Sequence, residues 1–370
     1  MDFSALIERL GDGGTAALFG FLIGVSFGIF SQKSQFCLRA AAVEFGRGTF
    51  GVRLAVWLFV FAGAVVGTQT LIQMGALNVS GARMLNMRAS LSGALIGGFM
   101  FGSGMILARG CAGRLLVLAG QGNMRSLLTG LVFAVTAQAS LVGILSPIRE
   151  RIAGAWTFEG PSLDALSLLS LQPATGLAVA FIWLGAAIYF GKKSNVPLWG
   201  WVGGLGAGLS VAGGWLVTYW LSQQAFEPQP VKSMSFTGPS ARALMLILSP
   251  PGQAIDFDVG LVPGVLLGAF LAAFSSRELK LEGFQNGHAM RRYMIGAVMM
   301  GFGGMLAGGC SVASLSGSAI FATTSWLTLF AIWAGAMAMD HIVDRQVHEG
   351  ARDRPAVEPA NRPGSIQKGA

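Results

Sequence analysis

Charge is scarce in this chain of 370 residues: only 11% are Asp, Glu, Lys or Arg, against about 25% in an ordinary soluble domain. That shortage excludes a conventional water-soluble fold. Cysteine is nearly absent too, with Cys37, Cys111 and Cys310 the full complement. No Cys-x-x-Cys or Cys/His ligand spacing occurs, and the three histidines lie in or near polar segments, so neither a zinc site nor a disulfide framework is indicated. A phosphate loop is also missing, because Gly191-Lys192-Lys193-Ser194 lacks the upstream glycine such a loop requires. An ATP-driven pump within this chain is thereby excluded, and no other cofactor motif is found. The N-terminus carries Asp2, Glu8 and Asp12 and no basic region of the kind that opens a signal peptide.

What is abundant is apolar surface and glycine. Hydrophobic residues make up 53% of the chain and glycine contributes 54 residues, while the mean hydropathy is +0.62. Glycine-rich apolar segments repeated many times describe an all-α polytopic membrane protein. The net charge of +8 forms no stripe suited to nucleic acid. Its basic residues fall singly or in pairs between apolar stretches, as at Lys192 and Lys193 or Arg291 and Arg292, which is the pattern of loop anchoring. Residues 1–14 read as an interfacial segment. Residues 345–370, polar and rich in Pro, Arg and Glu, read as a disordered tail whose arginines favour a cytoplasmic C-terminus.

Apolar stretches run over 15–30, 54–77, 89–108, 126–147, 174–191, 197–222, 259–275, 293–307 and 325–343. These predict about nine transmembrane helices. Four others, around 35–45, 112–120, 236–249 and 311–322, are too short to cross, since a span needs about 20 residues. Short segments of this kind are tolerated only where protein buries them or where they line a polar cavity, and matched pairs of them mark transport sites. The chain is internally duplicated. Residues 97–129 align without gaps on 296–328 with 12 identities in 33 positions, Gly110-Cys111 falling on Gly309-Cys310. The expected organisation is a first repeat half at 15–150, a connecting segment with one transmembrane helix at 151–196, and a second half at 197–344. Inverted and parallel copies both remain open, with the inverted arrangement preferred.

The cysteines stand where glycine-rich apolar helices end and short ones begin. Glycine permits a sharp turn there, at Gly110 and Gly309, and the next helix points free N–H groups into the break. Arg109 and Arg114 flank Cys111, and no acidic partner for them lies nearby in sequence. A guanidinium inside a membrane domain usually faces a cavity or a partner, so an anion is its reasonable complement. Ser311 adds a hydroxyl after Cys310. The plain alternative is that Cys111 and Cys310 are small packing residues. Lys33 and Arg39 around Cys37 would then be headgroup anchors.

At SQKSQFCLRA (31–40), GSGMILARGCAGRL (102–115), KSMSFTGP (232–239) and LEGFQNGHAMRRYMIGAVMMGFGGMLAGGCSVASLSGSAIFA (281–322) the chain resembles the YeeE/YedE family of sulfur transporters. The resemblance implies an hourglass-shaped bundle of about nine spanning and four short non-spanning helices in the inner membrane. It implies uptake of thiosulfate past Cys37, Cys111 and Cys310 through S–H···S contacts, without catalysis or cofactor. A small cytoplasmic sulfurtransferase-like protein is an implied companion. Two other readings stay open: a membrane thiol or persulfide redox protein or carrier of a related selenium compound, and a channel or scaffold with inert cysteines. Glu44, Asp256 and Asp258 are the acidic residues considered for coupling.

Overall fold

A computed structural model describes residues 4–86, 89–158, 164–168, 173–227, 229–250, 252, 254–283 and 287–345. The first half contains α1 (Ser4–Lys33), α2 (Leu38–Gly46), α3 (Val52–Gln73), α4 (Arg83–Asn86), α5 (Gly98–Leu107), α6 (Ala112–Gly120), α7 (Met124–Leu141) and α8 (Ser146–Gly154). A π-turn at Gly93–Gly97 leads into α5. Then follow α9 (Ala165–Leu168), α10 (Pro173–Lys193), α11 (Leu198–Gln224), α12 (Thr237–Leu248), α13 (Phe257–Ser275), α14 (Gly287–Leu306), α15 (Ser311–Ala319) and α16 (Thr323–Met339). The only β-structure with more than one bridge among the described residues is a pairing of β1 (Ala89–Ser90) with β2 (Thr157–Phe158). Nine candidate membrane spans are found among the described residues, and two of them join α5 to α6 and α14 to α15. The tail expected at 345–370 lies, beyond Arg345, outside the described residues.

Two expected stretches were drawn too long. The apolar run 126–147 is two helices, because α7 stops at Leu141 and Pro147 opens α8, where a proline's missing N–H leaves no hydrogen bond unmade. The short segment expected over 311–322 ends at Ala319, and Phe321 takes a left-handed φ of 57° before α16 starts. At the other end of the chain, α1 is interrupted at Gly11 (φ 71°, ψ 170°), which separates its first turns from the long apolar helix.

Helix packing reveals how the two copies are related. A Cβ on Gly102 would lie 2.0 Å from the Ile332 carbonyl oxygen, so α5 and α16 touch backbone to backbone and run in the same direction. Gly301 of α14 meets Phe133 and Ala137 of α7 in the same way. Each residue of the second contact is its counterpart in the first displaced by the repeat offset. The central pair, α5 and α14, run antiparallel, with Gly97 against Gly303 and Ala307, and Gly104 against Gly296 and Met300. Outside them α1 runs parallel to α13, and α3 parallel to α11. A two-fold axis that exchanges antiparallel equivalents lies perpendicular to them, hence in the membrane plane when they cross it. The copies are therefore inverted. Small residues at the contacts are what let these backbones approach.

The same register gives depth. Gly296, nine residues into the 20-residue α14, faces Ala108 at the end of α5. Helix α5 thus stops near the middle of the bundle, and α6 continues to the far end. Nine residues rise about 14 Å, roughly half of a hydrocarbon layer about 30 Å thick. Helices α14 and α15 repeat this break from the opposite direction.

Candidate functional site

All three cysteines occupy the same local structure. The helix before each ends in a left-handed residue: Gln35 (φ 51°), Arg109 (φ 58°) and Gly308 (φ 80°). Paired terminal hydrogen bonds close the turn, Gln35 N–H to the Gln32 carbonyl with Phe36 N–H to Ser31, Arg109 to Ile106 with Gly110 to Met105, and Gly308 to Met305 with Gly309 to Gly304. That pattern is a Schellman stop. Two residues after the left-handed position comes the cysteine, in extended backbone, as the N-cap of α2, α6 or α15. No side chain caps any of the three helices. Their first N–H groups and positive dipole ends are left facing the break, which is a favourable place for an anion.

The breaks converge. Cys111 has Cys37, Cys310 and Ser311 as electrostatic neighbours, and Cys111 and Cys310 are buried while Cys37 is half-buried. The Ser311 hydroxyl lies beside Cys111 and is buried with no other partner among the described residues. A Cβ on Gly113 would meet the Phe236 ring at 3.1 Å and Val312 at 3.7 Å, so α6, α12 and α15 start against one another. The backbone N–H of Phe236 donates to the Cys310 sulfur at 3.3 Å. Phe236 is fully buried and its ring packs on Phe27, which in turn meets Phe36 beside Cys37.

The two glycines before the cysteines differ in stringency. A Cβ on Gly309 would lie 2.4 Å from that of Ala313, whereas one on Gly110 would find nothing closer than Leu115 at 3.4 Å. Arg114 faces Cys37, Cys111, Arg53 and Glu278, and its Nη1 is buried without a hydrogen-bond partner. Arg109 lies toward the same end of the bundle as Arg114, but outside the cysteine cluster. It is exposed and lies in the field of Asp344, which also binds Arg292 at 2.7 Å and Arg39 at 3.2 Å. The structure thus brings Cys37, Cys111, Cys310, Ser311 and Arg114 together and leaves Arg109 at the mouth of the half that opens toward the C-terminal end.

Toward the opposite end a cavity of about 440 Å³ reaches the Gly308-Gly309 turn in front of Cys310. Lys232, Arg242, Asp258, Ser235, Thr237 and Thr328 are among its wall residues. Of the acidic residues considered for coupling, Glu44 accepts the N–H groups of Arg53 and Leu54 and so caps α3. Asp256 caps α13 through the Val259 N–H, and Asp258 forms an ion pair with Lys232.

Phe236 is the residue that sequence reasoning overlooked. It caps the fourth short helix, α12, where the other three are capped by cysteine. A signal was present: the repeat offset that aligns Cys111 with Cys310 also aligns Lys33-Ser34 with Lys232-Ser233 and Cys37 with Phe236.

Inverted copies, two broken crossing helices and buried helix starts facing an unsatisfied guanidinium are the architecture of a membrane transport protein. The sequence profile described as "Sulphur transport" matches residues 33–338, and the chain belongs to that family. Relatives include the thiosulfate transporter TsuA of Spirochaeta thermophila, 27% identical over 342 residues that cover 88% of this chain and 99% of the relative. The thiosulfate transporter TsuA of Escherichia coli is 25% identical over 354 residues, 88% of this chain and 94% of the relative.

Proposed function

We propose that this chain takes up thiosulfate, passing it from the cavity to Cys310, then to Cys111 and Cys37, and out through the arginine-lined half. The observation that carries the reading is the repeated stop-and-restart motif, which puts a thiol and open helix N–H groups at one point from both directions. Backbone N–H groups suit the anion's oxygens, and a weakly polar S–H suits its terminal sulfur. No bond to sulfur needs to form. Phe236 keeps the path dry between Cys310 and Cys111, and Arg114 offsets the loss of hydration beyond it.

Direction follows from charge. Between the spans at the C-terminal end lie thirteen Lys and Arg residues, four in 33–53, three in 108–125, two in 192–193 and four in 276–292. The cavity end has six among the described residues: Arg9, Arg83, Arg149, Arg151, Lys232 and Arg242. Positive residues favour the cytoplasmic side, so the cavity faces outward across an inner membrane and the C-terminus is cytoplasmic. A cytoplasmic sulfurtransferase-like protein is a fitting consumer of the product, though no surface is assigned to it. Against a redox role stands the burial of Cys111 and Cys310, because thiols that exchange are accessible. The test is uptake of radiosulfur-labelled thiosulfate by proteoliposomes, wild type beside Cys310→Ser and Cys310→Ala. Graded weakening along the two variants supports a contact site. Equal, complete loss in both, with a trapped mixed disulfide or persulfide in the wild type, supports the redox alternative.

A further inference from the structure

The outer cavity holds more cationic capacity than it displays. Lys232, on the strand of chain before α12, and Arg242, on the first turns of α12, both line it. Each is occupied by a carboxylate of the α13 start. Lys232 Nζ lies 2.7 Å from Asp258 and 3.2 Å from Asp256. Arg242 contacts Asp256 and stands 3.6 Å from Asp258. The other charged residue in the wall, Arg149, is paired with its neighbour Glu150 at 3.1 Å. On α1, which packs along α13, Asp12 accepts the Glu227 N–H. The cluster is therefore neutral as it stands, two cations against two anions, and repels a dianion as strongly as it attracts one.

The cavity also has donors with nothing to bind. Thr237 and Thr328 belong to its wall, are 0% and 2% exposed, and carry buried hydroxyls with no hydrogen-bond partner among the described residues. Thr237 packs against Gly304 and Thr328 against Gly98, and buried hydroxyls left unpaired favour a ligand that accepts from them.

Resting on the reading of this chain as a transporter of thiosulfate, we propose that the cavity is a proton-linked capture site for a divalent oxyanion. Asp258 and the anion compete for Lys232 and Arg242. One proton taken from the outer solution neutralises Asp258, releases Lys232 Nζ, and lets the anion take the carboxylate's place with Thr237 and Thr328 as further donors. Asp258 is the group that yields, because Asp256 also holds the first turn of α13, whereas the bonds of Asp258 are to the two cations. Proton and anion then bind together, so the charge added to the capture site is one net negative in place of two. By linkage, acid strengthens anion binding and the anion strengthens proton binding by the same factor. Thiosulfate stays doubly charged across the ordinary range of pH, so any pH dependence belongs to the protein.

The experiment is binding of labelled thiosulfate to the detergent-purified full chain at about pH 5.5 and about pH 8. The wild type is expected to bind about fivefold or more tightly at the lower pH, and to take up protons from a weakly buffered dye solution when thiosulfate is added. Asp258→Asn should bind equally at both, near the wild type's low-pH affinity, and Lys232→Gln should weaken binding at both. Wild-type binding that is independent of pH, or thiosulfate addition that moves no protons, overturns the linkage while leaving the transport reading intact. An Asp258→Asn variant with wild-type pH dependence overturns the assignment to Asp258, and the dye measurement on wild type needs no variant to fold. No binding of thiosulfate at either pH overturns the transport reading and the linkage with it.

Discussion

Matched residues of the two copies differ in what surrounds them. Gly110 and Gly309 are equivalent in sequence, yet only Gly309 has a neighbour, Ala313, inside the space a methyl would need. Gly309→Ala is therefore expected to destabilise the fold by about 1–3 kcal/mol, the usual range for an overpacked buried site. Gly110→Ala should stay within about 0.5 kcal/mol of the parent. Thermal unfolding of the two variants in one detergent checks the contrast, and equal midpoints would contradict it. Cys37 is half-buried beside residues of the C-terminal mouth, while the other two thiols are closed off. In sealed right-side-out vesicles, a membrane-impermeant maleimide is expected to leave all three unmodified. In inverted vesicles it should label Cys37 alone. Mass spectrometry of the tryptic peptides reads both, and labelling of Cys37 from outside would reverse the proposed orientation.

At the scale of elements, the short helices were legible in the sequence where glycine and cysteine marked them. Residues 112–120 were expected and are found without change, because a Gly-Cys pair at the end of an apolar run leaves the chain few ways to continue. The role of the fourth short helix was not legible. Its cap is Phe236, an ordinary core residue by type, and only its N–H against Cys310 shows what it does. Phe236→Ala removes the ring while keeping that N–H. It should open the dry segment and raise leak of a small anion such as sulfate, measured as efflux from loaded proteoliposomes, with no leak counting against a barrier role. The Arg109 side chain was beyond sequence too. Its position beside Cys111 is fixed by the chain, but a left-handed φ at the turn sends the side chain toward Asp344.

At the scale of the whole molecule, duplication could be read from the alignment of 97–129 with 296–328, but not the direction of the axis. Matching residues say which positions correspond; only the antiparallel contact of Gly97 with Gly303 and Gly104 with Gly296 says how they are turned. Inversion has a consequence for mechanism, since it supplies one half-path from each side and makes the cysteine breaks the place where they meet. It also exposes the energetic problem of uptake. A dianion moving inward against the potential costs about 4.6 kcal/mol per 100 mV, twice the single-charge value. Consumption inside, or a coupled ion, has to offset this.

The most direct test of that account is the initial rate of labelled thiosulfate uptake into proteoliposomes by wild type and Cys310→Ala, both shown to be folded. Saturable uptake by the wild type, falling at least tenfold in the variant, a loss of about 1.4 kcal/mol, is the predicted result. Equal uptake by the two proteins would contradict it, because the path as described cannot bypass Cys310.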